Sequence, residues 1–148
     1  MIEYHEMTDG DACEAFVYNA WIRSYLAAAQ GGDDKAPPVE LAQCLARASN
    51  GSGDAAVRSW IQLLRKRGCR VWVAHPQGEP GLYLGFVAGR RFALDYLYVK
   101  RVMRRQGVGA ALLHHAREAL GFQDASSATW PWVVQWFEDQ GIGYNPRT

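Results

Sequence analysis

Leu94-Asp95-Tyr96-Leu97-Tyr98-Val99-Lys100-Arg101-Val102-Met103-Arg104-Arg105-Gln106-Gly107-Val108-Gly109-Ala110-Ala111-Leu112-Leu113 is the stretch that decides the fold of this 148-residue chain. Its first six residues are apolar, aromatic or β-branched apart from Asp95, and they read as a strand. A basic loop with two glycines follows and leads straight into a helix with Leu112, Leu113, Ala116 and Leu120 along one stripe. Strand, basic glycine loop and helix in that order suit a bound diphosphate. The first-turn N–H groups of a helix have no intrahelical partner and sit at the positive end of its dipole. Gly107 and Gly109 remove the side chains that would keep a phosphate away from that backbone. The chain has no GxxxxGK[ST] loop, and Gly107-x-Gly109 is followed by Leu112 where a GxGxxG fingerprint needs glycine.

Upstream, Leu82–Ala88 and Cys69–His75 read as two more strands, separated by turns at Pro76–Gly81 and Gly89–Arg91, so the three form an antiparallel meander. Helices are expected over residues 12–28, 41–48 and 57–64, with Gly68 ending the last, and Ile2–Met7 reads as an opening strand. Downstream, Gly121 closes the central helix, a short strand is expected at Ala128–Trp130, and Pro131 starts a last helix that turns Val133, Trp136 and Phe137 inward. The expected fold is α/β (α+β): one domain over residues 1–148, with a mixed, mostly antiparallel sheet covered by helices.

Composition narrows the function classes. A hydrophobic fraction of 49% supplies a core, and a net charge of +1 gives no long-range pull on nucleic acid or membrane. Three cysteines without a CxxC pair suit small buried residues in a reducing cytoplasm, where the chain is expected to act. The N-terminus has no basic region followed by an apolar run, and no apolar stretch approaches the roughly 20 residues of a membrane span. The one dense basic cluster, Lys100-Arg101 with Arg104-Arg105, adjoins the glycine loop, so its expected partner is a small-molecule phosphate and not nucleic acid.

Arg104-Arg105-Gln106-Gly107-Val108-Gly109 matches the pattern Q/R-x-x-G-x-G/A, with Leu97-Tyr98-Val99 four residues before it, and so resembles the GNAT superfamily of N-acetyltransferases. The chain also resembles, more weakly, small GNAT-like proteins of tailed bacteriophages. The resemblance implies acetyl-coenzyme A (acetyl-CoA) as cofactor, with no metal, and an amine as acceptor in a direct ternary complex. It implies that the coenzyme A diphosphate lies on Arg104, Arg105, Gln106, Gly107, Val108, Gly109 and Ala110, and that the pantetheine runs along Leu97, Tyr98 and Val99. Relative to the family the final hairpin looks truncated, leaving a sheet edge that a second subunit could close.

Asp95 is the candidate general base, since period two places it on one strand face with Leu97 and Val99; its alternative role is to pair with an arginine such as Arg70 or Arg91. Trp136-Phe137-Glu138-Asp139-Gln140-Gly141-Ile142 resembles the family's Phe-Tyr-Glu-x-x-Gly-Phe segment, which puts Phe137 where a tyrosine commonly protonates the leaving thiolate. Tyr144, Tyr98 or water is left for that step, and a binding protein without catalysis, acting on a host macromolecule, is the alternative function. Trp21, Arg23 and Tyr25 on the first helix either line the acceptor pocket, with Arg23 reading an acidic group, or belong to the core. His75 reads as a surface residue at a strand end, and His114 and His115 as helix-surface residues without zinc-ligand spacing.

Overall fold

A computed structural model describes residues 1–31, 53–79, 81–125 and 134–144. Along the chain run β1 (Ile2–Glu6), α1 (Glu14–Gly31), α2 (Gly53–Lys66), β2 (Arg70–Pro76), β3 (Gly85–Arg90), β4 (Ala93–Val99), a 3-10 turn (Arg101–Met103), α3 (Val108–Leu120), β5 (Asp124–Ala125), α4 (Val134–Asp139) and β6 (Gly143–Tyr144). The six strands lie in chain order across one sheet. Strands β1 to β4 are antiparallel neighbours, whereas β4–β5 and β5–β6 are parallel pairs.

The continuous apolar runs of β2 and β4 follow from a sheet buried on both faces, where successive side chains enter different cores. Val71 and Val73 join Trp21, Val57, Trp60, Ile61, Phe86 and Tyr96 beneath α1 and α2. Trp72 and Ala74 join Leu84, Val87, Leu94, Leu112, Leu113 and Phe122 beneath α3. The helix over α3 has the apolar stripe its sequence predicts, with Leu112, Leu113, Ala116 and Leu120 all buried.

Several boundaries differ from expectation. The strand expected from Leu82 begins at Gly85, and the turn expected at Gly89–Arg91 lies at Arg91–Phe92. Gly89 lies within the strand, at a position where space for a side chain is short. A Cβ on it would stand 3.2 Å from Ala93 O and 3.3 Å from Leu120 and Phe122 side chains. The last helix buries Phe137 but leaves Trp136 39% exposed. A short parallel β6 follows it, at the sheet's edge among the described residues. The helix expected over residues 41–48 and the strand at 128–130 fall outside the described residues. No helix among the described residues is long and apolar enough to cross a membrane.

Candidate functional site

The site is built where β4 ends. Among the described residues, strand β5 pairs with β4 at Ala93 and Leu94 alone. Lys100 N–H donates to Leu84 O at 2.9 Å, so alternation in the antiparallel ladder directs the polar groups of Tyr98 to β3 as well. The backbone groups of Leu97 and Val99 therefore face the opposite edge, toward the start of α3. There the Arg104 Nε–H donates to Val99 O at 3.0 Å and ties the basic loop to the strand end.

The loop delivers the chain to α3 through two left-handed residues, Arg105 (φ 64) and Gly107 (φ 83). A left-handed conformation is costly for Arg105 and free for glycine, and such strain concentrates at ligand-holding loops. Gly107 is the N-cap of α3 and no side chain caps it. The first α-type bond of the helix is Ala111 N–H to Gly107 O, at 3.0 Å. The N–H groups of Val108, Gly109 and Ala110 precede it, and no hydrogen bond from them is found among the described residues. A left-handed residue followed by helical ones turns such N–H groups toward one point, an anion-binding concavity. The loop leading to it carries Arg101, Arg104 and Arg105, all exposed, while Lys100 lies on the α1 side of β4 over the Phe16 ring.

Gly109 has a different part from Gly107. A Cβ there would lie 3.5 Å from Val99, 3.7 Å from Trp136 and 3.8 Å from Leu97, so its absence widens the cleft between α3, the β4 end and the Trp136 ring. The sequence reading missed Trp136 at this cleft, because inward and outward positions of a six-residue helix cannot be told apart by periodicity. Arg104 also differs from expectation in one respect: its own N–H donates to Arg101 O at 3.3 Å. The run of available amides thus starts after it.

On the α1 side of β4 lies a pocket of about 500 Å³ lined by Phe16, Asn19, Ala20, Arg23, Ser24, Tyr98 and Lys100. Its floor is aromatic, with Phe16 and Tyr98 rings 6.2 Å apart and the Lys100 ammonium 5.4 Å above the Phe16 ring. Of the three pocket candidates on α1, Arg23 lines it. Trp21 does not: it is fully buried and stacked on Tyr96 at 5.1 Å, because its spacing places it over the sheet centre. The Tyr25 side chain lies outside the described residues, as does that of Tyr144.

Asp95 is not on the face shared by Leu97 and Val99. A β-bulge opposite Ala88 and Gly89 inserts it as an extra residue, since Ala88 pairs with Tyr96 and Gly89 with Leu94. The extra residue reverses the alternation. Leu94, Leu97 and Val99 pack toward α3, while Tyr96 and Tyr98 pack toward α1 and α2. Asp95 is fully buried and takes both ends of the Arg90 guanidinium, with Nε–H at 3.0 Å and Nη2–H at 2.9 Å. The pairing arginine is thus Arg90, not Arg70, which bonds Glu6, nor Arg91, which lies over Phe92. Burial, and then the nearby Asp95 carboxylate, pushes the Cys69 thiol well up.

His75 is buried rather than on the surface, its Nδ1 3.1 Å from Pro76 O. His114 and His115 are exposed on α3, as read from the sequence. Burial and Asp11 push the Cys13 thiol up to about 12, so it is protonated at neutral pH and a poor nucleophile. Phe137 is buried in the apolar cluster that α3 shares with the sheet.

No family model matches the sequence, and no curated protein matches it. Solved structures do match. A Pyrococcus furiosus structure named as an acetyl transferase superposes with a TM-score of 0.60 at 15% identity, covering 98% of this chain and 95% of that one. One from Clostridium acetobutylicum, named as an acetyltransferase with acetyl-CoA, gives 0.57 at 8% identity over 100% and 94%. A ribosomal-protein-alanine N-acetyltransferase from Brucella melitensis gives 0.52 at 15% identity over 99% and 94%. These superpositions over nearly the whole chain show that it has the GNAT acetyltransferase fold.

Proposed function

We propose that this protein is an N-acyltransferase that takes acetyl from acetyl-CoA and passes it directly to an amine. The observation that carries the reading is the uncapped start of α3 at left-handed Gly107, set beside the outward-facing edge of Leu97 and Val99. The residues present fit the cofactor: Gly107 has no atom within 4 Å of where a Cβ would stand, and the exposed arginines of the loop can offset a diphosphate's charge. In this reading the amides of Val108, Gly109 and Ala110 receive the diphosphate. The Leu97 and Val99 backbone groups hold the pantetheine amides, and Trp136 covers the cleft from the far side. Acetyl-CoA, when bound, supplies the activated thioester; the chain's own part is positioning, which can lower a bimolecular barrier by about 7–11 kcal/mol.

The acceptor enters from the α1 side. Arg23 and Lys100 make that pocket cationic, so the acceptor carries an anionic group besides its amine, and the Phe16 and Tyr98 rings accept its apolar part. The Tyr98 hydroxyl is the proton-handling group on the pocket wall. Asp95, held by Arg90 outside the pocket lining, is assigned to positioning the bulge.

Thiol release from acetyl-CoA across a panel of amines tests this proposal, with acidic amines expected to be preferred. Arg23→Ala is expected to raise KM for an anionic acceptor about tenfold or more, with kcat little changed, as for loss of a charged hydrogen bond. An unchanged KM would remove Arg23 from acceptor recognition. A second reading, a GNAT-fold binding protein without catalysis, is favoured by Phe137, which is 2% exposed in the apolar core and cannot donate a proton. Acetyl-CoA binding with no thiol release from any amine would select it.

A further inference from the structure

His5 on β1 and Asp11 and Cys13 in the turn before α1 bring one nitrogen, one carboxylate oxygen and one sulfur within 4.8 Å of one another. His5 Nε2 lies 3.4 Å from Asp11 Oδ2 and 3.8 Å from Cys13 Sγ. Both partners thus approach the same ring nitrogen. A nucleophile relay uses the two ring nitrogens separately, one toward the nucleophile and one toward the carboxylate. Hydrogen bonding accounts for only part of the cluster: the Cys13 S–H donates to the Asp11 carboxylate, but the 3.4 Å between His5 Nε2 and Asp11 Oδ2 is longer than the roughly 2.7–2.9 Å of a charged N–H···O bond.

Convergence on a common centre is what a cation organises. Tetrahedral zinc, with bonds of about 2.0–2.1 Å to nitrogen, about 2.0–2.2 Å to oxygen and about 2.3 Å to sulfur, has N···O edges of about 3.4 Å and N···S edges of about 3.6 Å. The two separations in this cluster agree with those edges to within a few tenths of an ångström. We infer that His5, Asp11 and Cys13 form a zinc(II) site, with its fourth position left for water.

The donor set suits that ion. Imidazole, thiolate and carboxylate are the zinc ligands of proteins, and one thiolate with one carboxylate offsets the dication's charge. On binding, the Cys13 S–H bond breaks, an S–Zn bond forms and the proton passes to solvent. The ligands are also held in place before any ion arrives. Asp11 Oδ1 accepts the Cys13 N–H at 3.3 Å, leaving Oδ2 toward His5. His5 is fixed by pairing with Val73, and the His75 ring lies tilted against it at 5.2 Å. The metal would clasp β1 to the start of α1, one turn before Phe16 of the pocket wall.

The test is a titration of the chelator-stripped full chain with zinc(II), and with cobalt(II) as a spectroscopic stand-in. The expected result is one zinc per chain, a higher melting temperature, and a cobalt complex with tetrahedral d–d bands and a thiolate charge-transfer band. Cys13→Ala should abolish the charge-transfer band, and both it and His5→Gln should weaken zinc binding by about 100-fold or more, beyond the range for changes to groups that only support a ligand. If Cys13→Ala does not fold, His5→Gln carries the test alone. The control His114→Ala/His115→Ala should bind as the parent does. No stoichiometric zinc in the parent chain, or binding unchanged in His5→Gln, overturns the site.

Discussion

Gly107→Glu is expected to abolish acetyl-CoA binding while leaving the domain folded. Gly107 sits at φ 83 with open space where a Cβ would stand, so the first carbon of a side chain there meets no neighbour. The left-handed conformation costs a non-glycine residue about 1–2 kcal/mol. A carboxylate at a helix start returns about 0.3–1 kcal/mol through the dipole, so net stability falls little. For the ligand the sum goes the other way. The new carboxylate sits at the amides that would receive the diphosphate, and it adds like charge where the loop supplies only positive charge. Calorimetric titration should show no acetyl-CoA binding, with Gly107→Ala intermediate because it carries the strain without the charge. Affinity in Gly107→Glu equal to the parent's would place the diphosphate elsewhere.

The second large effect concerns Arg90 and Asp95. Arg90→Met removes the guanidinium from a fully buried carboxylate, a kind of change that costs about 3–5 kcal/mol. For a domain of this size each kcal/mol lowers the melting temperature by roughly 2–4 °C, so a drop of about 6–20 °C is expected in a thermal melt. Asp95→Asn separates structure from chemistry. A general base contributes about 10²–10⁴-fold to rate. A residue that only holds the bulge should leave transfer per folded molecule within about tenfold of the parent. A full base-sized loss in folded Asp95→Asn would return Asp95 to the reaction, and an unchanged melting temperature in Arg90→Met would show the ion pair to be idle.

The parts of the fold legible in the sequence were those where a period and a terminator agree. The Leu112, Leu113, Ala116, Leu120 stripe ends at Gly121, and the α3 helix lies where it predicts. The meander of β2 to β4 was legible because β-branched and aromatic runs alternate with turn residues. The glycine loop was legible because helix-start amides need neither long-range contacts nor a partner element to be useful to an anion.

What escaped was set by single-residue register and by contacts distant in sequence. Leu94, Tyr96 and Tyr98 look like one face at period two, but both faces of this sheet are apolar, so nothing in the pattern marks the bulge that turns Asp95 around. Trp21 and Arg23 differ by two positions on one helix and end in core and pocket respectively; composition alone left both open. Arg90 reaches Asp95 from the end of β3 because the turn falls at Arg91–Phe92, starting two residues later than the Gly89–Arg91 turn the sequence suggests. His5 meets Asp11 and Cys13 across two elements, with spacings that match no familiar ligand motif.

Acetyl-CoA titrated into the full chain, followed by thermal unfolding, bears most directly on the central claim that the bare start of α3 receives the coenzyme's diphosphate. At about 100 times its dissociation constant the ligand should stabilise the fold by roughly 2.7 kcal/mol. No change in melting temperature at millimolar acetyl-CoA would contradict it.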